Sequence, residues 1–308
     1  MNNDFYKVFE DKHRGSRELI KSRLHAYLPF INPLNELYQH SQTVDLGCGR
    51  GEWLELLTDK TDFEALGVDL DDGMLAECEQ HKLYYKRQDA LTLLKSLSGE
   101  SQALITAFHL VEHISFTDLQ ELVQQALRVL KPAGLLILET PNPENIVVGT
   151  AEFYMDPTHK QPIPPNLLAF IPEYYGFQQT KIIRLQEDKA LHKETTTLID
   201  VLKGVSPDYA IIAQKEGPAE LTTKFSSLFA NEYGLTLEVL AEKFHQQEIK
   251  KVEQYRQKIE RAEAKTQAAE AKTQAADEKV TALLSSHSWR YTKPIRQLFS
   301  LTKRILGK

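Results

Sequence analysis

Residues 44–53 read Val-Asp-Leu-Gly-Cys-Gly-Arg-Gly-Glu-Trp. A short apolar run is followed by three glycines at alternate positions and then by a helix-forming segment. Glycine lets the backbone turn sharply and pass close to a ligand where a side chain would collide. Backbone N–H groups at the start of the following helix can bind a carboxylate. The stretch therefore predicts a strand, a ligand-binding turn and a helix.

Short apolar runs alternate with amphipathic segments on both sides of this stretch. The predicted strands are 43–46, 65–70, 83–86, 103–107 and 134–140, with later runs at 181–186 and 209–213. The predicted helices between them are 52–58, 72–80, 91–95 and 118–130. Strand–helix alternation is typical of a parallel sheet with helices on both faces. The fold class that we predict is therefore α/β.

Two stretches flank or interrupt this pattern. Residues 5–38 place apolar side chains between charges and predict an N-terminal helical cap. Residues 141–165 contain six prolines, which interrupt helices and sheet ladders. We expect this Pro-rich segment to be a long substrate loop.

The composition changes after about residue 234. Residues 235–284 contain no Gly or Pro, and the unit Ala-Glu-Ala-Lys-Thr-Gln-Ala occurs at 262–268 and again at 269–275. Steps of three and four residues define a seam of Val252, Tyr255, Ile259, Ala262, Thr266, Ala269, Thr273, Ala276, Val280 and Leu283. This period of seven favours a coiled coil. A single solvated helix supported by Glu–Lys pairs is the alternative.

The charge is unevenly distributed along the chain. The formal net charge is −6, yet residues 285–308 contain six Lys and Arg and no Asp or Glu. An acidic body argues against a nucleic-acid partner, and the basic end suits an acidic partner or an anionic surface. The N-terminal residues lack the apolar core of a signal peptide, and no apolar run reaches about 18 residues. We expect the chain in the cytoplasm or at the cytoplasmic face of a membrane.

Acidic residues follow the second and third predicted strands. Asp69 lies 18 residues after Gly51, where a carboxylate can accept hydrogen bonds from both hydroxyls of a ribose. Asp89 follows the third strand, where a polar side chain could bind the edge of an adenine. Together with the glycine turn, these positions predict a nucleoside-containing ligand.

Residues 40–215 resemble the class I S-adenosylmethionine-dependent methyltransferases. The resemblance implies a Rossmann-like sheet of seven strands, the last antiparallel, followed here by the long helical coiled-coil segment. It also implies that the glycines contact the methionine part of the cofactor, Asp69 the ribose and Asp89 the adenine. The cofactor-binding residues expected are Tyr6, Arg14, Asp45, Gly47, Gly49, Gly51, Asp69, Leu70, Asp89, Ala90 and Phe108.

A narrower resemblance is to the methyltransferases of bacterial surface-polysaccharide (O-antigen, lipopolysaccharide) clusters. It rests on Phe5-Tyr6 with Arg14-Gly15, on Phe-His-Leu-Val-Glu-His at 108–113, on Phe-Tyr-Met-Asp-Pro-Thr-His at 153–159, and on residues 288–296. The resemblance implies O-methylation of a sugar hydroxyl on a glycan or lipid-linked saccharide, either ending the chain as a terminator or decorating it. A quinone-like small-molecule O-methyltransferase and a non-catalytic coiled-coil scaffold are the competing hypotheses.

Histidines and carboxylates follow the fourth predicted strand and recur in the Pro-rich segment. In one hypothesis His109 or His159 is a general base, oriented by Asp156. In the other, His109, Glu112, His113 and His159 bind a divalent metal ion, Mg or Mn, that polarises the hydroxyl. The second arrangement resembles the small-RNA 2′-O-methyltransferases, although His109 stands where their motif has a glutamate. A purely structural role for the histidines is the third alternative.

The sequence thus predicts five regions. They are a cap at 1–40, a methyltransferase domain at 41–216, a linker at 217–234, a coiled coil at 235–284 and a basic amphipathic segment at 285–308. The coiled coil predicts a homo-oligomer, either a dimer or a trimer. The basic segment predicts attachment to a glycosyltransferase or to the cytoplasmic face of the inner membrane.

Overall fold

The computed structural model describes residues 15–192 and 195–305. Seven strands form one sheet in this part of the chain: β1 (Gln42–Leu46), β2 (Glu64–Asp69), β3 (Tyr85–Arg87), β4 (Gln102–Phe108), β5 (Leu130–Pro141), β6 (Gln179–Leu185) and β7 (Asp208–Gln214). Their order is β3-β2-β1-β4-β5-β7-β6. The first five strands are parallel, and β7 is antiparallel to both β5 and β6. The predicted α/β fold with an antiparallel last strand is confirmed.

Helices cover both faces of this sheet. They are α1 (Arg17–Leu24), α2 (Leu28–Leu37), α3 (Glu52–Lys60), α4 (Asp72–Gln80), α5 (Ala90–Ser96), α6 (Phe116–Val129), α7 (Ile146–Thr150), α8 (Pro165–Tyr175) and α9 (Leu198–Lys203). Side chains alternate between the two faces of a strand. Leu136 and Leu138 on β5 pack with α5, α6 and α8, whereas Leu135 and Ile137 pack with α1, α2 and α3. The parallel strands therefore lie between two hydrophobic layers.

Strand β3 begins later than the predicted 83–86. Leu83 packs in a small cluster with Cys48, Leu54 and Cys78, and its N–H donates to the carbonyl of Cys78 at 2.9 Å. Leu83 is therefore held by the turn after α4. Its apolar side chain fits a strand pattern equally well, which explains the shift.

The Pro-rich segment is more ordered than the long loop expected. Helix α7 and a 3₁₀ turn at Glu152–Met155 occupy its first half, and α8 begins at Pro165. Proline is favourable at the first position of a helix because the N–H that it lacks would be unpaired there. Pro165 thus marks the start of α8, and residues 156–164 are the longest stretch of the segment without helix or strand.

Residues 217–234 also depart from the expected linker. They contain α10 (Ala219–Thr222) and α11 (Ser226–Ala230), and Phe225 between them is fully buried in the cluster that includes α1 and α2. Beyond them, Leu235 and Leu240 pack against Val201 and Val205. The first of the two compact units therefore extends further than residue 216, and it ends at Phe244.

The second unit is His245–Lys308. Helix α12 (Leu237–Ser285) continues into it for most of its 49 residues, and α13 (His287–Tyr291) and α14 (Lys293–Ile305) follow. At about 1.5 Å per residue, α12 is about 74 Å long. No helix among the described residues is long and apolar enough to cross a membrane.

Candidate active site

The glycine turn connects β1 to α3 in a backbone conformation that glycine favours. Gly47, Gly49 and Gly51 have φ of 69°, 52° and 82°. A Cβ atom at Gly51 would lie 2.6 Å from Leu83 Cδ1 and 2.8 Å from Cys78 Sγ. The turn is therefore left-handed and tightly packed against Leu83 and Cys78.

The Asp69 carboxylate lies beside this turn at the end of β2. Its Oδ2 accepts from the Gly49 N–H at 2.9 Å, and its Oδ1 accepts from the Asp71 N–H at 2.9 Å. Leu70, which follows it, is 58% exposed. Asp69 therefore adjoins the glycine turn, and the ribose and methionine contacts stay predictions.

Asp89 has a structural task in addition to the predicted contact with adenine. It caps α5, because its Oδ1 accepts from both the N–H and the hydroxyl of Thr92 at 2.8 Å. The side chain is exposed and Ala90 begins the helix. The adenine contact stays a prediction. Tyr6 and Arg14, also predicted to bind the cofactor, lie outside the described residues.

A cavity of about 590 Å³ joins the glycine turn to the predicted catalytic residues. Asp45, Gly47 and Phe108 line it on the cofactor side, and Asp45 accepts a hydrogen bond from the Thr106 hydroxyl at 2.7 Å. The other residues that the sequence analysis singled out on this wall are His109, His113, Asp156 and His159. The strand ends and the Pro-rich segment thus meet, as expected.

His109 is held between two carboxylates. Its Nδ1 lies 3.2 Å from Glu112 Oε1 and its Nε2 lies 3.1 Å from Glu139 Oε1. Burial disfavours the charged ring, but these hydrogen bonds and the nearby charge of Asp208 outweigh it and hold the pKa of His109 well above its usual value. A protonated ring with both nitrogens engaged is a poor general base, so the geometry disfavours the base role expected for His109.

Residues that the sequence analysis missed complete this network. The buried Tyr27 hydroxyl donates to Glu139, and the Thr140 hydroxyl donates to Glu112 Oε2 at 2.9 Å. Asp208 Oδ1 lies 4.0 Å from His109 Nε2, and burial raises the pKa of Asp208 to about 6. Glu139, a charged residue directly after the apolar run 135–138 of β5, was the signal that could have revealed this network.

The other two histidines each have Nδ1 engaged by a neighbouring oxygen. His113 Nδ1 lies 2.9 Å from Thr158 Oγ1, and the Thr158 hydroxyl donates to Asp156 Oδ1 at 2.6 Å. His159 Nδ1 donates to the Phe153 carbonyl at 2.6 Å. The two rings meet edge to face with centroids 4.7 Å apart. Burial lowers the pKa of His113, which favours a neutral ring.

The predicted metal ligands fall into two groups. Ligand atoms of Glu112, His113 and His159 lie within 4.8 Å of one another, whereas His109 groups with Glu139 and Asp208. In the first set each histidine has one nitrogen hydrogen-bonded to an oxygen, as metal-bound histidines usually do, but both Glu112 oxygens already accept hydrogen bonds from protein groups. A cation there would polarise the acceptor hydroxyl. His109 does not belong to this set because carboxylates engage both of its nitrogens.

Asp69→Ala is expected to weaken S-adenosylmethionine binding by about 1–3 kcal/mol, the scale of hydrogen bonds to a charged group. The substitution removes the carboxylate beside the turn and the acceptor for the Gly49 N–H. Calorimetry on the folded variant measures the effect. Asp72→Ala is the matched control, since Asp72 is 71% exposed and pairs with Arg87 on the surface. Equal affinities of the two variants would contradict the ribose role.

His109→Asn is expected to lower the free energy of unfolding by about 1–3 kcal/mol, because it leaves buried carboxylate oxygens without a charged donor. Asparagine tolerates the left-handed backbone at this position, where φ is 53°. Since the folded-state pKa of His109 is raised, the loss should be full below its ordinary value of 6.5 and shrink as pH rises through the raised pKa. Thermal melts against pH test this. His40→Asn, exposed and with φ of 54°, is the control.

Comparisons with known proteins agree with this architecture. A family model described as a methyltransferase domain matches residues 13–179. A search of curated proteins found no match. A solved S-adenosylmethionine-dependent methyltransferase from Archaeoglobus fulgidus is 36% identical, covering 68% of this chain and 100% of its own, with a TM-score of 0.60.

A Haloferax volcanii methyltransferase solved with its activator is more distant. It is 13% identical, covering 71% of this chain and 99% of its own, with a TM-score of 0.52, and so shows the fold alone. The family match and the Archaeoglobus structure carry the identification. With the glycine turn, Asp69 and the shared cavity, they show that this chain is a methyltransferase enzyme of the S-adenosylmethionine-dependent family.

Proposed function

We propose that the enzyme transfers the methyl group to a sugar hydroxyl of a bacterial surface glycan, either ending the chain or decorating it. The observation that carries the proposal is the pair His113 and His159 in the cavity wall. Each ring has its Nδ1 engaged by an oxygen, which leaves Nε2 for an acceptor. A sulfonium methyl group is already activated, so the acceptor hydroxyl mainly needs alignment and a site for its proton.

The rest of the acceptor side suits a molecule with several hydroxyls. Arg23, Glu152, Gln186 and Asp208 line the same cavity and offer both hydrogen-bond donors and acceptors. Gln186 Oε1 is buried without a hydrogen-bond partner, and a quinone-like ring would leave it unpaired, which is costly for a buried polar group. The polar lining therefore favours a saccharide over that alternative. The left-handed glycines and the acidic residue beside them argue against a non-catalytic scaffold.

The surface-glycan part of the proposal is supported by where two motifs lie. The segments 108–113 and 153–159, on which the resemblance to surface-polysaccharide methyltransferases rests, both contribute to the cavity. Motifs that meet in the acceptor region are more informative about the acceptor than motifs in the cofactor turn. A glycan or a lipid-linked saccharide is accordingly the acceptor class that we propose.

We favour a metal-independent mechanism over one that uses Mg or Mn. The Glu112 side chain is fully buried. Its two oxygens already accept hydrogen bonds from His109 and Thr140. A cation would have to compete with both donors, one of which is charged.

The second unit supports proposals about partners and location. The seam residues Val252, Tyr255 and Ile259 are 58–66% exposed in the single chain. Thr266 and Thr273 donate their hydroxyls to carbonyls four residues earlier, which leaves their methyl groups to pack. Both features suit a homo-oligomer built through α12, either a dimer or a trimer. For α14 we propose attachment to the cytoplasmic face of the inner membrane in preference to a glycosyltransferase.

The test of the function is an acceptor screen that measures formation of S-adenosylhomocysteine. Neutral oligosaccharides with free secondary hydroxyls, presented free and lipid-linked, are compared with a catechol and a hydroquinone. We expect turnover with at least one saccharide and none with the two phenols. Methylation of the phenols, with every saccharide inert, would overturn the proposal.

A further inference from the structure

We propose that Thr158 is a positioning residue that links Asp156 to His113 and thereby makes the Nε2 of His113 the acceptor of the substrate proton. The inference rests on the proposed function and deepens it. It assigns the base to a histidine other than the two considered from the sequence, and it gives a role to a threonine that the sequence analysis left unassigned.

The positions of the protons between Asp156, Thr158 and His113 follow from which of their atoms can donate. Asp156 Oδ1 accepts from the Thr158 N–H at 2.8 Å and lies 2.6 Å from Thr158 Oγ1. A carboxylate cannot donate, so the single hydroxyl proton of Thr158 points to Asp156. The contact of 2.9 Å between Thr158 Oγ1 and His113 Nδ1 then needs a proton from the histidine. A neutral His113 therefore carries its proton on Nδ1 and has a lone pair on Nε2.

The three histidines differ in the groups that hold their ring nitrogens. His109 has both nitrogens against carboxylates. His159 also has its Nδ1 fixed, but by the neutral carbonyl of Phe153, and its Nε2 is 3.9 Å from Asp156 Oδ2. The hydrogen-bond chain from His113 ends on a carboxylate instead. An imidazolium that forms during the reaction is thus best compensated at His113.

In the reaction at His113 the acceptor oxygen gains a methyl group and loses a proton. A lone pair of the acceptor oxygen forms the new O–CH₃ bond while the bond between the methyl carbon and sulfur breaks. The electron pair of that bond stays on sulfur, so the sulfonium becomes the thioether of S-adenosylhomocysteine. The acceptor O–H proton passes to Nε2 of His113, and Nδ1–H continues to donate to Thr158.

The tautomer of His113 can be measured without any acceptor. ¹⁵N-histidine NMR of the full-length enzyme with S-adenosylhomocysteine and excess chelator distinguishes Nδ1–H from Nε2–H rings, and His113→Gln assigns the signal. We expect Nδ1–H in the wild type and a shift towards Nε2–H in Thr158→Val. Thr158→Ser should restore the wild-type tautomer. Thr150→Val, at an exposed threonine bonded to the Ile146 carbonyl, is the control.

Turnover gives the second readout, with whichever acceptor the screen identifies. Thr158→Val should lower kcat by about 10–100-fold, because it weakens the orientation of a general base whose full contribution is about 100- to 10,000-fold. The KM for S-adenosylmethionine should be unchanged, and Thr158→Ser should restore the rate. An Nε2–H ring in the wild type, or full turnover in Thr158→Val, would overturn the proposal. A wild-type Nδ1–H ring in an enzyme that methylates phenols and no saccharide would instead overturn the proposed function alone.

Discussion

Replacing His113 by alanine is expected to lower kcat by about 100- to 10,000-fold, the contribution typical of a general base. Affinity for S-adenosylmethionine should stay within about twofold, because His113 serves the acceptor and not the cofactor. His159→Ala should cost less, since it removes a neighbouring ring that packs 4.7 Å from His113 and leaves the Thr158 contact intact. Steady-state kinetics and calorimetry on both variants measure the two effects, and the exposed His81→Ala is the control.

Two results would contradict the expectation that His113→Ala lowers kcat more than His159→Ala does. If exhaustive chelation removes activity and added Mg²⁺ or Mn²⁺ restores it, then Glu112, His113 and His159 act as metal ligands and the base hypothesis is wrong. If His159→Ala abolishes turnover while His113→Ala retains it, the base is the histidine held by the Phe153 carbonyl. Wild-type activity after chelation, combined with the expected order, supports the base hypothesis.

Most of the sheet could be predicted because its strands carry local signals. Apolar runs bounded by polar residues located all seven strands to within four residues at either end. Strand β3 begins two residues later than predicted, since Leu83 packs on the turn after α4 and only the pattern, not the contact, is visible in the sequence. The Pro-rich segment misled us for a different reason. A proline that breaks a helix and a proline that begins one look alike until the neighbouring structure is known.

The cofactor side could also be predicted from local patterns. The glycine turn and Asp69 are each contiguous with a strand, and the carboxyl ends of parallel strands meet at one edge of the sheet. Asp69 therefore reaches the Gly49 N–H although 20 residues separate them. The sequence alone sufficed here because the fold itself brings these ends together.

The acid–base state of the acceptor side could not be predicted in this way. His109 was expected to be a base because it follows β4, but its charge depends on Glu139, which is 30 residues away. Glu139 is in turn bonded by Tyr27, 112 residues away. Thr158 meets His113 across 45 residues. No local motif records such contacts, and they decide which histidine can accept a proton.

The basic segment at residues 285–308 is expected to determine where in the cell the enzyme works. Within α14, Ile295, Leu298, Phe299 and Leu301 are 58–73% exposed. At 100° per residue they lie on one side of the helix, and the four basic residues Lys293, Arg296, Lys303 and Arg304 lie on the other side. The Arg296 guanidinium lies 3.6 Å from the centre of the Trp289 ring, which joins α13 to α14. A short basic helix with an apolar side suits the surface of an anionic membrane.

Deleting residues 285–308 is expected to abolish binding to vesicles that contain anionic phospholipid. Each Lys or Arg near such a surface contributes about 1 kcal/mol, and a coiled coil through α12 would multiply the attachment because several helices bind together. Flotation with phosphatidylcholine vesicles, with and without phosphatidylglycerol, measures this. Turnover of a free saccharide should be unchanged, since the deletion lies wholly within the second unit.

Point variants of the full-length chain can show why vesicle binding is lost. Leu298→Ser with Phe299→Ser removes the apolar side of α14 and should release the protein from anionic vesicles, whereas Gln297→Ala on the polar side should not. The double variant Ile259→Glu with Leu283→Glu tests the coiled-coil seam of α12 separately. It should lower both the mass of the oligomer measured by light scattering and the affinity for vesicles. A truncation for the same purpose should begin at residue 245, because Leu240 is fully buried in the first compact unit. If the full-length protein floats no better than Leu298→Ser with Phe299→Ser, then α14 does not bind lipid, and a partner protein is the remaining occupant of its apolar side.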